Sequence, residues 1–355
     1  MRLPVLGELK DIDEPLAVQL IRRLIDGGVN YLDTAWDYHE GNAEILVGKA
    51  LKDGYRQKVK LVTKLPVWLV QKPADFDRLF QAQLEKLDTE HVDLYLLHAL
   101  NKDTWHKTCG FGVLEWLKRQ QAEGRVDKVG FSFHDEYAVF LEIVDAWDGW
   151  DMCQIQYNYL DQEHQAGTRG LRYASKRGMA VSIMEPLRGG SLAAPPAPAR
   201  RLMAEVAPER SPAEWALQWL WHQPEVSVVL SGMNSLEQVD ENLRSAGRSG
   251  VGSLSPTEIE LIKRVIQATP QPPIPCTRCH YCMPCHNDVN IPVNLHIYNH
   301  YVMTGKLEES QAEYLKQPAD RRASECIHCQ CCELVCPQKI AVSEWMEKIT
   351  QSMET

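Results

Sequence analysis

Val92-Asp93-Leu94-Tyr95-Leu96-Leu97-His98 is an apolar, β-prone run that closes on a titratable side chain. Runs of the same kind stand at residues 29–33, 60–64, 128–132, 152–156, 180–184 and 226–231. Each ends near a polar residue and gives way to a helical stretch. From the last residue of one run to the last of the next the gaps are 31, 34, 34, 24, 28 and 47 residues. A βα unit takes ~30 residues, so these gaps have the natural period of a parallel barrel. The intervening helices are legible too. Residues 14–26 are amphipathic and stop at Gly27-Gly28, a C-terminal cap signal. Residues 75–88 and 113–123 follow the same pattern, the second stopping at Gly124. Ser211-Pro212 opens a helix over 213–222 with an N-cap and a proline at the first helical position, and Ser255-Pro256 opens another over 255–268.

The expectation is an α/β fold, a (β/α)8 TIM barrel, of which seven strands are visible. The eighth would have to precede Glu14, where residues 1–6 suffice only for the tail of a strand. The first strand is therefore expected to be truncated, with the barrel closed by a stub or the native start lying upstream. A doubly wound sheet lacks its usual support, because no G-x-G-x-x-G follows the first strand.

The remaining bounds come from composition. The chain has 355 residues with 38 basic and 48 acidic side chains, a net charge of −10. That balance argues against nucleic acid as a partner, which would favour a basic face. No apolar run reaches the ~18–20 residues of a spanning helix, and the N-terminus carries no signal-peptide core. A cytoplasmic protein without a membrane partner is expected. Of 11 cysteines, only Cys109 and Cys153 fall before residue 276, and nine lie from Cys276 to Cys336. A secreted disulfide scaffold would spread them, so the tail reads as an intracellular metal or cluster module. The expected organisation is a barrel over 1–268, a stiff linker with four prolines over 269–275, and a cysteine-rich domain over 276–355. Residues 191–198, rich in alanine and proline, read as a surface loop.

Barrel chemistry sits at the C-terminal ends of the strands. Those ends supply Asp33, Lys64 and His98, and Tyr38 lies five residues past Asp33. A phenol with pKa ~10 is too weak an acid at neutral pH, but a nearby ammonium favours the phenolate. A carboxylate would hold that ammonium charged and in place, and an imidazole could orient a carbonyl oxygen or join the proton relay. The four residues together are a candidate general acid for reducing a carbonyl. Taken singly, Asp33 and Lys64 also read as an ordinary ion pair, and His98 as a satisfied buried histidine.

Asp33-Thr34-Ala35-Trp36-Asp37-Tyr38, Val62-Thr63-Lys64-Leu65-Pro66 and Asp93-Leu94-Tyr95-Leu96-Leu97-His98 resemble the aldo-keto reductases, a likeness that spans residues 1–246. The resemblance implies Tyr38 as proton donor, Lys64 and Asp33 as its tuning pair, and His98 as a substrate-positioning group. It also implies a nicotinamide cofactor across the barrel mouth, NADP(H) or NAD(H), and a small-molecule carbonyl substrate. On that mapping Ser132 and Gln154 hold the carboxamide and Met184 packs at the nicotinamide ring, where many members carry an aromatic. Glu185, Pro186, Leu187, Arg188, Gly189 and Gly190 pass along the pyrophosphate. Ser231, Gln238, Glu241 and Asn242 surround the adenine end. Phe133 stands where many members have asparagine, and Gly232 and Gln238 stand where many carry basic residues that grip a 2′-phosphate.

The tail reads Cys276-x2-Cys279-x2-Cys282-x2-Cys285, then Cys326-x2-Cys329-x2-Cys332-x3-Cys336-Pro337. The second run has the bacterial ferredoxin spacing, in which the remote fourth cysteine serves the other cluster. Two 4Fe–4S clusters are expected, one on Cys276, Cys279, Cys282 and Cys336, the other on Cys285, Cys326, Cys329 and Cys332. Cys331 is a surplus bystander. The tail resembles the ferredoxin-type two-cluster domains fused to some bacterial aldo-keto reductases. Structural zinc on paired C-x2-C knuckles is the rival reading.

Hydride chemistry moves two electrons and a cluster moves one, so three functions are open. The barrel is a nicotinamide-dependent carbonyl reductase whose clusters serve electron transfer, redox sensing, structure or a ferredoxin partner. Alternatively the clusters feed electrons to a substrate in the barrel with the nicotinamide secondary. The third reading is a non-catalytic nucleotide-binding redox sensor.

Overall fold

The computed structural model describes residues 2–354. Seven parallel strands appear in the expected places: β1 (Tyr31–Asp33), β2 (Lys60–Leu65), β3 (Val92–Leu100), β4 (Val126–Phe133), β5 (Met152–Gln156), β6 (Ala180–Met184) and β7 (Val228–Val229). They form one sheet in sequence order, each strand beside its successor. Asp33 pairs with Val62, Lys64 with Leu96, Leu97 with Phe131, Ser132 with Gln154, and Gln156 with Met184. Helices intervene, so each crossover returns the chain to the same end of the sheet. The helix Glu14–Asp26 is capped by Asp13, whose side chain accepts from the Leu16 amide, and Ser211 caps Pro212–Trp221 in the same way through the Glu214 amide. The apolar faces of the helices cover strands that are buried almost throughout, with Leu61, Leu65, Tyr95, Leu97, Phe131 and Ile183 fully enclosed.

The expected stub of a first strand is not in the sheet. Val5 instead forms an isolated antiparallel bridge with Ile12. The local backbone explains this: Pro4 has no amide hydrogen and its carbonyl accepts from Asp13, while the Leu3 amide is spent on the His39 ring. No pairing joins β7 to β1 among the described residues.

Beneath β2 a buried polar network fixes the strand that carries Lys64. Glu44 Oε1 accepts from Thr63 Oγ1 and Gln83 Nε2, both at 2.6 Å; Gln83 Nε2 also lies 3.0 Å from the Lys64 carbonyl, and Tyr95 OH donates to Gln83 Oε1 at 2.6 Å. Each partner satisfies a group that would be costly to bury alone.

The chain divides into two compact units. The first contains the sheet, holding residues up to Leu187 and Ala207–Glu260; the second holds Arg188–Val206 and residues from Leu261 on. The second unit has its own core, built from Ile274, Leu295, Tyr314, Met346 and Ile349 around the helices Ile291–Thr304, Leu307–Leu315 and Val342–Met353. Residues 269–275 form no helix or strand, but their end is anchored: Ile274 is fully buried, and its amide and carbonyl both bond the Asn299 side chain, at 3.1 and 2.8 Å. The alanine- and proline-rich stretch is a loop that runs into a helix, Ala197–Val206, which its composition concealed. Among the described residues no helix is long and apolar enough to cross a membrane.

Candidate active site

Asp33 ends β1, and the parallel register with β2 sets Lys64 just beyond it on the interior of the sheet. The Lys64 ammonium is fully buried and donates to Asp33 Oδ1 at 2.6 Å and to the Thr34 carbonyl at 2.9 Å. It lies 3.4 Å from the Tyr38 hydroxyl and 5.0 Å from the ring centroid. Burial alone would strip this lysine of its proton. The Asp33 carboxylate, and after it the Tyr38 oxygen, overcome that, and Lys64 titrates above the ordinary lysine value. A permanent ammonium in hydrogen-bond reach of a phenol stabilises the phenolate left when the phenol gives up its proton.

The loop that presents Tyr38 is held by a residue the sequence reading passed over. Residues 38–41 form a tight turn in which His39 and Glu40 both take left-handed φ, 53° and 54°, a conformation costing ~1–2 kcal/mol per residue. His39 offsets that by packing inward. Its Nδ1 lies 2.7 Å from the Leu9 carbonyl and its Nε2 accepts from the Leu3 amide at 3.0 Å. A carbonyl on one side and an amide donor on the other require a neutral ring with its proton on Nδ1. The signal was there to read: a histidine directly after Tyr38, the expected proton donor.

His98 sits on an irregularity of β3. The register with β4 shifts between Leu97 and Leu100, Ala99 has a φ of 54°, and the Ala99 amide is caught by Ser132 Oγ at 2.7 Å. Such a bulge re-aims a side chain, and here the His98 ring meets Tyr38 edge-on at 5.9 Å between centroids, with Trp68 at 5.1 Å on another side. Burial, then the charge of Lys64 and the neighbouring His134, hold His98 well below the usual histidine range, so it is neutral near pH 7. The four groups, drawn from β1, β2, β3 and the loop after β1, thus converge.

The residues expected to hold the cofactor divide into groups. Ser132 and Gln154 are adjacent in the β4–β5 register and both buried. Gln154 Nε2 lies 3.8 Å from Met184 Sδ, while its Oε1 is buried without a donor. A carboxamide NH2 is the kind of group that would satisfy it, so this pair fits a nicotinamide. Pro186 and Leu187 follow β6, after Glu185 at φ 56°. Gly189 falls in the second unit and is engaged there: a Cβ on it would stand 2.3 Å from the Thr277 carbonyl oxygen, and its own carbonyl accepts from Arg278 at 3.1 Å. Ser231 accepts from Asn242 at 3.0 Å, Gln238 caps the Asn234 amide at 2.9 Å, and Glu241 accepts from Ser211 Oγ. Ser231 and Asn242 thus form one pair, Asn234 and Gln238 another at the start of the helix Leu236–Ala246, and Glu241 is held by Ser211; the helix is capped by Ser235.

The aldo/keto reductase family profile matches residues 5–267. The chain belongs to that family. An uncharacterised oxidoreductase of Bacillus subtilis (strain 168), YqkF, is 29% identical over 259 residues, 65% of this chain and 82% of its own. The NADH-specific methylglyoxal reductase of Escherichia coli (strain K12) is 23% identical over 306 residues, 73% of this chain and 90% of its own. Among solved structures, an aldo/keto reductase of Klebsiella pneumoniae in complex with NADP and acetate matches with a TM-score of 0.59 at 25% identity, over 73% of this chain and 87% of that one. The seven-stranded sheet is accordingly the barrel-like fold of this family, and this aldo/keto reductase is an NAD(P)H-dependent oxidoreductase.

The second unit gathers the tail thiols into two sets. Cys276, Cys279, Cys282 and Cys336 line one pocket with Ile291, Pro292, Leu295 and Pro337. Cys326 has Cys285 and Cys329 as electrostatic neighbours, and Cys332 has Cys326 and Cys285. The surplus Cys331 is exposed and lies 3.7 Å from the Cys329 carbonyl. Among the described residues no three His, Cys, Asp or Glu side chains converge on a position for a single ion. Burial pushes the Cys332 thiol up to about 12 and raises Cys282 further. Thiols of this kind ionise only when a cationic centre compensates them.

Proposed function

We propose that this aldo/keto reductase reduces a small aldehyde or ketone, with Tyr38 as the proton donor, and that its tail carries two 4Fe–4S clusters. The observation that carries the first part is the fully buried Lys64 ammonium shared between Asp33 at 2.6 Å and the Tyr38 hydroxyl at 3.4 Å. The bound nicotinamide supplies the hydride that the carbonyl carbon receives. Tyr38 gives its proton to the carbonyl oxygen, Lys64 stabilises the resulting phenolate, and Asp33 keeps Lys64 charged and aimed. His98, neutral and pressed against Tyr38, sets the position of the substrate oxygen. Ser132 and Gln154 orient the carboxamide. The relative named for methylglyoxal supports a short carbonyl compound as substrate. Anaerobic NADH or NADPH oxidation against a panel of aldehydes and ketones tests the reading: carbonyl-dependent turnover is expected, and its absence across the panel rejects it.

We further assign NADH as the preferred cofactor. Residues 231–242 contain no lysine or arginine but do contain Glu237, Asp240 and Glu241. A 2′-phosphate at this position would find no cation supplied by the segment itself to grip it in a bidentate way. Fluorescence titration should give a Kd for NADH about tenfold below that for NADPH, a difference of ~1.4 kcal/mol. Tighter binding of NADPH would overturn the assignment.

The clusters rest on the x2-x2-x3 spacing with Cys336-Pro337, and the grouping of Cys336 with Cys276, Cys279 and Cys282 rather than with its sequence neighbours supports them. When bound they would supply one-electron steps. Protein purified anaerobically should hold about eight irons per chain. Cys336→Ala should lower that to about half, and Cys331→Ala should leave it unchanged. Zinc in place of iron, or equal loss in both variants, would reject the assignment.

A further inference from the structure

Arg2 stands beside the ends of two strands although it belongs to no strand or helix itself. The segment that carries it is pinned just beyond: the Leu3 amide donates to His39 Nε2 at 3.0 Å, and the Pro4 carbonyl accepts from the Asp13 amide at 2.9 Å. β6 and β7 pair in parallel, with Ile183 beside Val229 and the Leu230 amide donating to the Ile183 carbonyl, so Glu185 and Gly232 emerge as neighbours. Arg2 spans the two. Its stem rests on Gly232, where a Cβ would stand 2.8, 2.9 and 3.1 Å from the Arg2 Cβ, Cγ and Cδ. Only glycine leaves that space. Its guanidinium reaches toward β6, with Nη2 3.7 Å from Glu185 Oε1. Glu185 is itself fixed, at φ 56°, with its carbonyl accepting from Asn158 Nδ2 at 3.1 Å.

We propose that Arg2 binds the diphosphate of the nicotinamide nucleotide through the two-pronged face of its guanidinium. The inference rests on the reading of the barrel as a nicotinamide site. With the carboxamide at Ser132 and Gln154 and the adenosine against residues 231–242, the diphosphate between them passes the ends of β6 and β7. Those ends present the Glu185 carboxylate, which repels a dianion unless a cation stands beside it. The contact with Glu185 does not withhold Arg2 from a ligand. At 3.7 Å it is longer than a hydrogen bond, and with the Arg2 side chain 43% exposed such a pair contributes little to stability. It serves instead to keep the guanidinium turned toward β6, which lessens the cost of ordering it when the nucleotide arrives. The head of Arg2 lies by the residue that directly follows Met184, toward the nicotinamide half of the nucleotide. That placement assigns it to the diphosphate rather than to a 2′-phosphate on the adenosine.

Nucleotide titration of the full chain, native and Arg2→Ala, tests it. ADP-ribose carries the diphosphate without the nicotinamide, and adenosine carries neither. Arg2→Ala should raise the Kd for ADP-ribose about tenfold and leave that for adenosine unchanged. An unchanged Kd for ADP-ribose, or an equal loss for adenosine, overturns the proposal. NADH and NADPH should weaken by the same factor; a loss confined to NADPH would put Arg2 at the 2′-phosphate and overturn it as well. Gly232→Ala, which pushes the Arg2 stem aside, should also weaken ADP-ribose, and combining it with Arg2→Ala should cause no further loss. Additive losses would show that Gly232 does not act through Arg2 and overturn the arrangement. These titrations contain no carbonyl compound. A failure of the reductase reading, seen as absent turnover, is therefore distinguishable from a failure of this one.

Discussion

Tyr38→Phe is expected to lower kcat for carbonyl reduction by a factor of about 10^2–10^4 while leaving NADH affinity unchanged. The phenylalanine ring keeps the edge contact with His98 and the place over the Lys64 ammonium, so the loop of residues 38–41 retains its packing. Only the oxygen that lies 3.4 Å from Lys64 is lost. The substrate oxygen must then take its proton from water, without the ammonium that stabilises the conjugate base. The rate loss corresponds to about 3–5 kcal/mol of transition-state stabilisation. Parallel steady-state rates and nucleotide titrations on both proteins check it, and an unchanged kcat removes Tyr38 from the reaction.

The second large effect is expected for Lys64→Met, which should destabilise the fold and abolish turnover together. Lys64 is fully enclosed and Asp33 nearly so, with a side-chain exposure of 10%. Removing one member of such a pair leaves a buried charge uncompensated, at a cost of about 3–5 kcal/mol. Asp33→Asn added to Lys64→Met removes that stranded charge and should recover part of the stability, about 2 kcal/mol by denaturant titration. Activity should stay lost in the double variant, because neither residue can support the phenolate. Recovery of activity with stability would show that the pair is only structural.

These residues were legible in the sequence because each closes a strand whose period is regular. Asp33, Lys64 and His98 recur at gaps of 31 and 34 residues, and parallel pairing of adjacent strands turns that spacing into proximity. What the period could not reveal depends on contacts distant along the chain. His39 matters because Leu3 and Leu9 come to meet it. His98 is aimed by a bulge closed through Ser132, an interaction over 33 residues. Trp68 was invisible for the same reason: a tryptophan four residues past Lys64 has no meaning until β3 is laid beside it.

The stub of a first strand failed for a local reason, since Pro4 and the loop bonds of Leu3 consume the groups a sheet would need. Strand β7 is shorter than its run of residues 226–231 predicts, only Val228–Val229. In the tail, Cys276, Cys279, Cys282 and Cys336 line one pocket. The inclusion of Arg188–Val206 in that unit could not be read, because it joins segments separated by more than 50 residues.

Hydride chemistry is expected to occur in the barrel, assisted by Tyr38, without electrons from the tail. Single-turnover mixing of anaerobic protein with NADH and an aldehyde substrate tests it directly. The expected result is stoichiometric loss of the reduced-nicotinamide absorbance, with a primary isotope effect from NADH deuterated at C4 and no change in rate when Cys336→Ala reduces the iron content. Loss of the reaction in that variant, or reduction of the aldehyde only when a one-electron donor replaces NADH, would contradict it.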